Sequence, residues 1–272
     1  MKIPPPPPAE DLEPLPDPVE PTTRLPPAAL AAYNAAFWPY LLGSAAALFV
    51  PALGIWAATA RTDARKRLLA RYTSAWGAHY LSHAPLAGVT LLGRDKVDEQ
   101  RPTIYVANHQ SMSDILAVFA AHIPMLWVSK VENFYAPFLG WNMSLNGFVP
   151  LRRGHLPSIM KMVRQCLRAL ADGHSLFVFP EGTRSPDGRL QPFYRGAFRL
   201  AARAGVPVQP MVIEGTADVL PKSSFVVHPR QCIVSILDPV HPAEVGGDHR
   251  ALLREVRTRM IAEQRRLRSP AR

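Results

Sequence analysis

Residues 108–114 read NHQSMSD, directly behind the apolar run TIYVA. A histidine with a carboxylate in reach can take a proton from a hydroxyl while the carboxylate orients the ring and stabilises its charged form. His109 and Asp114 stand five residues apart. Five helical steps leave two side chains about 140° apart, and an odd spacing on a strand puts them on opposite faces. The pair therefore meets only where the backbone bends. The strand pattern before it and the helical pattern SDILAVFAAH after it predict such a bend, with Ser113 or Asp114 at the helix start, where caps belong. The carboxyl end of a strand is also where α/β sheets place ligands. Taken alone, the pair equally fits a loop histidine followed by a capping aspartate.

Three later stretches carry further chemistry. NGFVPLRRG, residues 146–154, is an apolar run ending in Arg152 and Arg153, a pair suited to clamping a phosphate or to an ordinary solvated strand end. SLFVFPEGTRSPDGRLQPFYRGAF, residues 175–198, runs from a strand into Glu181, Gly182, Thr183 and Arg184. There Gly182 permits close backbone approach, Thr183 and Arg184 offer donors, and Glu181 can hold an arginine or a hydroxyl. AGVPVQPMVIEG, residues 204–215, reads as a strand and fits a core position as well.

In this order, NHxxxxD, G…R, FPEGTR and the VP-rich strand resemble the four blocks of the glycerolipid acyltransferase family, most closely its bacterial 1-acyl-sn-glycerol-3-phosphate acyltransferases. The likeness covers residues 85–240, and SKVENFYAPFLGW, residues 129–141, resembles the lysine-containing stretch ahead of the second block. The resemblance implies that His109 is the general base, that Asp114 orients it, and that Asn108, Lys130, Arg152, Arg153, Glu181, Gly182, Thr183 and Arg184 bind substrate. Arg153, Arg184 and Lys130 are the implied phosphate ligands. Arg152 stands where many members carry an acidic residue, which leaves open which of the two adjacent arginines points inward. The implied reaction moves an acyl chain from acyl-CoA or acyl carrier protein, as co-substrate, to the sn-2 hydroxyl of lysophosphatidic acid, with no metal and no other cofactor. Lyso-ornithine lipid, another lysophospholipid or glycerol 3-phosphate are alternative acceptors. A catalytically silent lipid-binding protein is the alternative of another class.

These residues need a frame. From about residue 85, GVTLLG, TIYVAN, MLWVSK, GFVPL, SLFVFP, VPVQPMVI and CIVSIL read as strands. Helices are expected at 113–122, 134–144, 156–172, 195–204 and 249–267. Such alternation predicts an α/β fold: a mixed, largely parallel sheet covered by helices. Cys166 falls on the apolar face of the third of these helices and is expected to be buried. The last helix is apolar on one side and arginine-rich elsewhere, as in a solvated helix packed on a domain.

Ahead of that domain, residues 1–33 hold the run PPPPP at 4–8 and a net charge of −3, the composition of a disordered acidic tail. Residues 35–60 are 26 residues without a charge. As a helix they would run about 39 Å, against a hydrocarbon core of about 30 Å. Trp38, Tyr40 and Trp56 suit its interfaces. Residues 62–82 read as an amphipathic helix lying on the membrane surface with Trp76 and Tyr80 near the headgroups. Residues 34–84 are thus expected to be a membrane-embedded helical segment and 85–272 the acyltransferase domain. Arg61, Arg65, Lys66, Arg67 and Arg71 follow the apolar run at once, which places that domain on the cytoplasmic side of the inner or another membrane. The chain carries +10 overall and +13 beyond residue 60, a balance suited to an anionic partner. Membrane lipid fits it; no nucleic-acid motif accompanies the charge, so nucleic acid is excluded as partner.

Overall fold

The computed structural model describes residues 25–82, 87–222 and 224–269. The helices are α1 (Pro27–Thr59), α2 (Arg67–Ser82), α3 (Ser113–Phe119), α4 (Leu139–Asn146), α5 (Leu156–Ala171), α6 (Gly196–Ala204), α7 (Thr216–Val219) and α8 (His249–Arg268). The strands are β1 (Gly88–Leu92), β2 (Ile104–Ala107), β3 (Met125–Lys130), β4 (Val149–Leu151), β5 (Ser175–Val178), β6 (Val208–Glu214) and β7 (Gln231–Ile236). They form one sheet in the order β1-β7-β6-β2-β5-β3-β4. Among these strand pairs of the described residues, only β6–β7 is antiparallel. The expected mixed, largely parallel sheet with helical cover is therefore the observed architecture.

Alternation along the strands splits the core in two. Ile104 and Val106 of β2 join Leu176, Cys166, Phe198, Val256 and Met260 on the face covered by α5, α6 and α8. Tyr105 and Ala107 join Phe177, Met211, Ala117 and Val118 on the opposite face, under α3. Both cysteines are free and buried. The differences from the expected elements are local. Residues 131–135 form a 3-10 turn, so α4 starts at Leu139 instead of 134. The four-residue α7 carries too little pattern to be read from sequence.

At the N-terminal side, α1 starts at Pro27, so residues 27–33 are helical and not part of the tail; residues 1–24 lie outside the described residues. A proline at the first helical position costs no hydrogen bond, and the alanine-rich sequence behind it favours the helix. α1 runs through Pro39 and Pro51 and is long and apolar enough to cross a membrane. Only Ala45 and Ala52 are buried along it, while Leu42 and Val50 are 66% and 68% exposed.

α2 departs from its expected place. Trp76 and Tyr80 do not reach toward headgroups but are buried between α1 and the domain. Trp76 Nε1 donates to the Tyr80 hydroxyl at 3.0 Å, and that hydroxyl lies 2.9 Å from Ser44 Oγ. An aromatic with a polar tip is equally content in a core that supplies a partner, and α1 supplies it here. α1 thus covers the face that α2 was expected to offer to lipid.

α2 also fixes α3, the helix that carries Asp114. Gly77 lies against Phe119, where an added Cβ would come within 2.2 Å of the ring. Gly77→Ala is expected to destabilise the fold by about 1–3 kcal/mol through overpacking, read as a lowered denaturant midpoint at unchanged slope.

Candidate active site

β2 ends at Ala107, and the next side chain makes the bend. Asn108 Nδ2 donates to the Ile213 carbonyl at 2.8 Å, and the Ile213 N–H donates to Asn108 Oδ1 at 2.8 Å. The carboxamide thereby takes the place of main chain in the β2–β6 ladder, and the backbone leaves the sheet. Asn108 is buried, and both ends of its amide are engaged in positioning the loop.

The turn that follows closes on Asp114. Its Oδ2 accepts from the Gln110 N–H at 2.6 Å, from the Ser111 N–H at 2.9 Å and from His109 Nδ1 at 2.7 Å. Asp114 is 0% exposed. Three donors on one carboxylate oxygen fix the proton of the imidazole on Nδ1 and leave the Nε2 lone pair free. The spacing that forbids contact in any regular element is met by a loop wound around a single oxygen.

The FPEGTRS turn holds the same histidine from the other side. Phe179 stacks on the imidazole, ring centroids 4.0 Å apart and planes 12° from parallel. Glu181 Oε1 accepts the His109 N–H at 3.2 Å, and the Ser185 N–H donates to the His109 carbonyl at 2.7 Å. Gly182 turns the chain at φ +69°, and a Cβ there would stand 2.8 Å from the Tyr194 ring. Only glycine meets both demands. Thr183 is exposed, and the Arg184 guanidinium has no partner among the described residues.

Glu181 is 2% exposed, and its second oxygen has no partner among the described residues. Burial pushes its carboxyl up to about 9, and the neighbouring Asp114 pushes in the same direction. The N–H groups of His109 and Gln191 and the charge of Arg257, on α8, oppose the rise without cancelling it. Glu181 is therefore protonated at neutral pH, a buried hydroxyl donor beside the histidine.

Lys130, Arg152 and Arg153 stand at the same edge of the sheet but farther along. Lys130 ends β3 in register with Leu151, the residue before Arg152. At about 4.8 Å per strand, the ends of β3 and β4 lie about 10 and 14 Å from that of β2. All three are exposed, and the guanidinium groups of both arginines lack partners among the described residues. His109, Asp114, Glu181 and Gly182 are thus brought together, with Arg184 next to them; Lys130, Arg152 and Arg153 form a second group.

Phe179, Ser185 and Arg257 were not anticipated. Phe179 follows from the alternation of its strand: Tyr105 pairs with Phe177, so Phe179, two residues on, faces the same side as Ala107, behind which His109 stands. Arg257 comes from a helix far along the chain and left no local signal.

The chemistry this geometry offers is proton removal from a hydroxyl at Nε2, in a site bordered by unpaired cations. The comparisons with known proteins agree in kind. The acyltransferase family model matches residues 88–214. A 1-acyl-sn-glycerol-3-phosphate acyltransferase of Chlamydomonas reinhardtii is 43% identical over 141 residues, covering 52% of this chain and 42% of that protein. An uncharacterized acyltransferase of Schizosaccharomyces pombe is 32% identical over 187 residues, 64% of this chain and 67% of that protein. The crystal structure of the 1-acyl-sn-glycerophosphate acyltransferase PlsC from Thermotoga maritima superposes with a TM-score of 0.77 at 25% identity, covering 89% of this chain and 99% of that one. The chain belongs to the acyltransferase family. It spans 36–44% of the length of the first curated relatives it matches.

The linkage of Glu181 gives a prediction. Its proton is held more tightly folded than unfolded, so its contribution to stability is full below the ordinary carboxyl value and is lost as pH rises through about 9. Glu181→Gln removes that titration. Its melting temperature is expected to fall less between pH 5 and pH 9 than that of the wild type, as differential scanning fluorimetry would show; parallel curves would place the titration elsewhere.

Proposed function

We propose that this protein is a membrane-bound 1-acyl-sn-glycerol-3-phosphate acyltransferase that converts lysophosphatidic acid to phosphatidic acid. The observation that carries the reading is the 2.7 Å contact between His109 Nδ1 and Asp114 Oδ2, which leaves Nε2 as the open face of the ring. The activity named for the Chlamydomonas and Thermotoga relatives supports the choice of acceptor.

The acceptor's sn-2 hydroxyl lies against His109 Nε2 and attacks the thioester carbonyl of acyl-CoA or acyl carrier protein. Its proton passes to Nε2 as the carbon–oxygen bond forms, and Asp114 stabilises the resulting imidazolium. Collapse of the tetrahedral intermediate breaks the carbon–sulfur bond, and the departing thiolate takes the proton back from His109. The thioester is already activated, so base catalysis and positioning do the work without a protein nucleophile. Arg184 holds the acceptor's phosphate, with Lys130, Arg152 and Arg153 extending the cationic edge outward. Glu181 and Gly182 shape the turn that receives the glycerol, and Thr183 offers an exposed hydroxyl beside it.

α1 keeps this site at the lipid. Its inward stripe packs on the protein from Tyr33 to Ile55, a length of about 33 Å, and the rest of its surface is apolar and bare. A helix fastened lengthwise to its own domain sits in one leaflet with the domain beside it. The basic run behind it supports a cytoplasmic position for the domain.

The test is purified protein in detergent with acyl-CoA and a panel of acceptors, following release of free thiol. His109→Ala is expected to lower turnover by about 10²–10⁴-fold with the melting temperature retained; wild-type turnover would remove the base. Arg184→Ala is expected to raise the KM for lysophosphatidic acid while leaving that for a phosphate-free monoacylglycerol in place. An equal effect on both acceptors would remove its phosphate role.

A further inference from the structure

We propose that Lys222 is a further ligand for the acceptor's phosphate, seated beside Arg184 by a strap that hangs on α1. The proposal rests on the reading of the site as one for a phosphorylated lysolipid. Lys222 belongs to neither of the cationic groups that the sequence blocks define, and it stands in the segment between α7 and β7.

That segment is bound at both of its sides. Toward the catalytic loop, Ser113 Oγ donates to the Thr216 carbonyl at 3.0 Å and Ser111 Oγ to the Leu220 carbonyl at 2.7 Å. Toward the membrane helix, Asn34 Nδ2 donates to the Val227 carbonyl at 3.0 Å and the Val227 N–H returns to Asn34 Oδ1 at 2.7 Å. Trp38 Nε1 donates to the Phe225 carbonyl at 3.0 Å. Between these anchors Lys222 Nζ donates to the Arg184 carbonyl at 3.0 Å.

An ammonium has three N–H donors, and that bond uses one. The other two, and the charge, meet no carboxylate among the described residues. The Arg184 guanidinium likewise meets no carboxylate among the described residues, so one turn carries two unneutralised cations, Lys222 joined to it through the Arg184 carbonyl. A phosphomonoester, carrying between one and two negative charges at neutral pH, neutralises both and has the oxygens to accept from both.

Place strengthens the assignment. In a glycerol 3-phosphate ester the reacting hydroxyl and the phosphate sit on adjacent carbons, so phosphate ligands belong close to His109. Arg184 precedes Ser185, whose N–H is on the His109 carbonyl, and Lys222 is bonded to Arg184. The ends of β3 and β4 are about 10 and 14 Å away along the sheet edge. Beyond Lys222 the strap turns apolar: Phe225 is 80% exposed beside Trp38, and Val226 is exposed next to it. A cation followed by bare apolar surface continuous with α1 is the complement of a lysophospholipid, anionic at one end and oily at the other.

The test compares wild type, Lys222→Gln and Lys222→Arg in mixed micelles, with initial rates against lysophosphatidic acid, monoacylglycerol and acyl-CoA, and equilibrium binding of lysophosphatidic acid without donor. Lys222→Gln is expected to raise the KM and the dissociation constant for lysophosphatidic acid about tenfold, with a smaller change in kcat and none in the KM for acyl-CoA. Lys222→Arg is expected to restore most of the affinity. An unchanged acceptor KM and dissociation constant in Lys222→Gln, or a loss confined to kcat, would make the lysine a brace for the Arg184 turn and overturn the proposal while the acyltransferase reading stands. A wild type that neither binds nor acylates lysophosphatidic acid would overturn both.

Discussion

One carboxylate oxygen organises the catalytic end of this molecule. A bare carboxylate costs far too much to bury in an apolar medium, and Asp114 is wholly buried. The loop between β2 and α3 offsets that cost by aiming two backbone N–H groups and an imidazole at Oδ2. The conformation of residues 109–111 is the conformation that delivers those donors. The same need explains why so polar a sequence lies inside the protein. Gln110 reaches the Ile213 carbonyl, Ser111 that of Leu220 and Ser113 that of Thr216. The buried amide and hydroxyl side chains of NHQSMSD are answered by main chain from β6, α7 or the residue after it, whereas Asp114 is held by its own loop through Oδ2, its Oδ1 meeting no partner among the described residues.

The second carboxyl of the site is handled in the opposite way. Burial around Glu181 outweighs the donors it receives and pushes its carboxyl up to about 9. Two ionised carboxylates on either side of one histidine would repel each other and overcharge the site. With one ionised and one neutral, the imidazole has a single anion behind it and a fixed backbone in front. Phe179 closes its face, so the ring can neither swing nor tilt away from the open side.

The frame was legible because it rests on short-range pattern. TIYVA and SLFVFP alternate sharply enough to be strands, and α5 and α8 carry clear apolar stripes. The bend at His109 was legible for the same reason: a strand pattern stops and a helix pattern starts on either side of it. What was hidden depends on partners remote in sequence. Asn108 looked like a donor for substrate, yet Ile213, more than a hundred residues later, uses both of its ends. Trp76 and Tyr80 looked like interfacial aromatics because nothing in α2 reveals that Ser44 and α1 lie over them. Arg257 approaches Glu181 from α8, and Lys222 approaches Arg184 across a strap tied to α1. A linear motif gives the residues of a site; it does not give the charges that arrive from other elements.

α1 therefore has two parts to play. Its outer surface is apolar and open, and its inner stripe, through Asn34 and Trp38, holds the segment that touches the Arg184 turn. The helix that is long and apolar enough to cross a membrane is thus tied by hydrogen bonds to the segment that touches the Arg184 turn. The central claim, however, lies at Asp114. The most direct measurement is kcat for Asp114→Asn with lysophosphatidic acid and acyl-CoA, alongside its melting temperature. Asparagine retains an oxygen for the loop's N–H groups but carries no charge to stabilise an imidazolium. The account predicts a folded protein whose kcat falls by about 10²-fold or more; a folded variant turning over at the wild-type rate would contradict it.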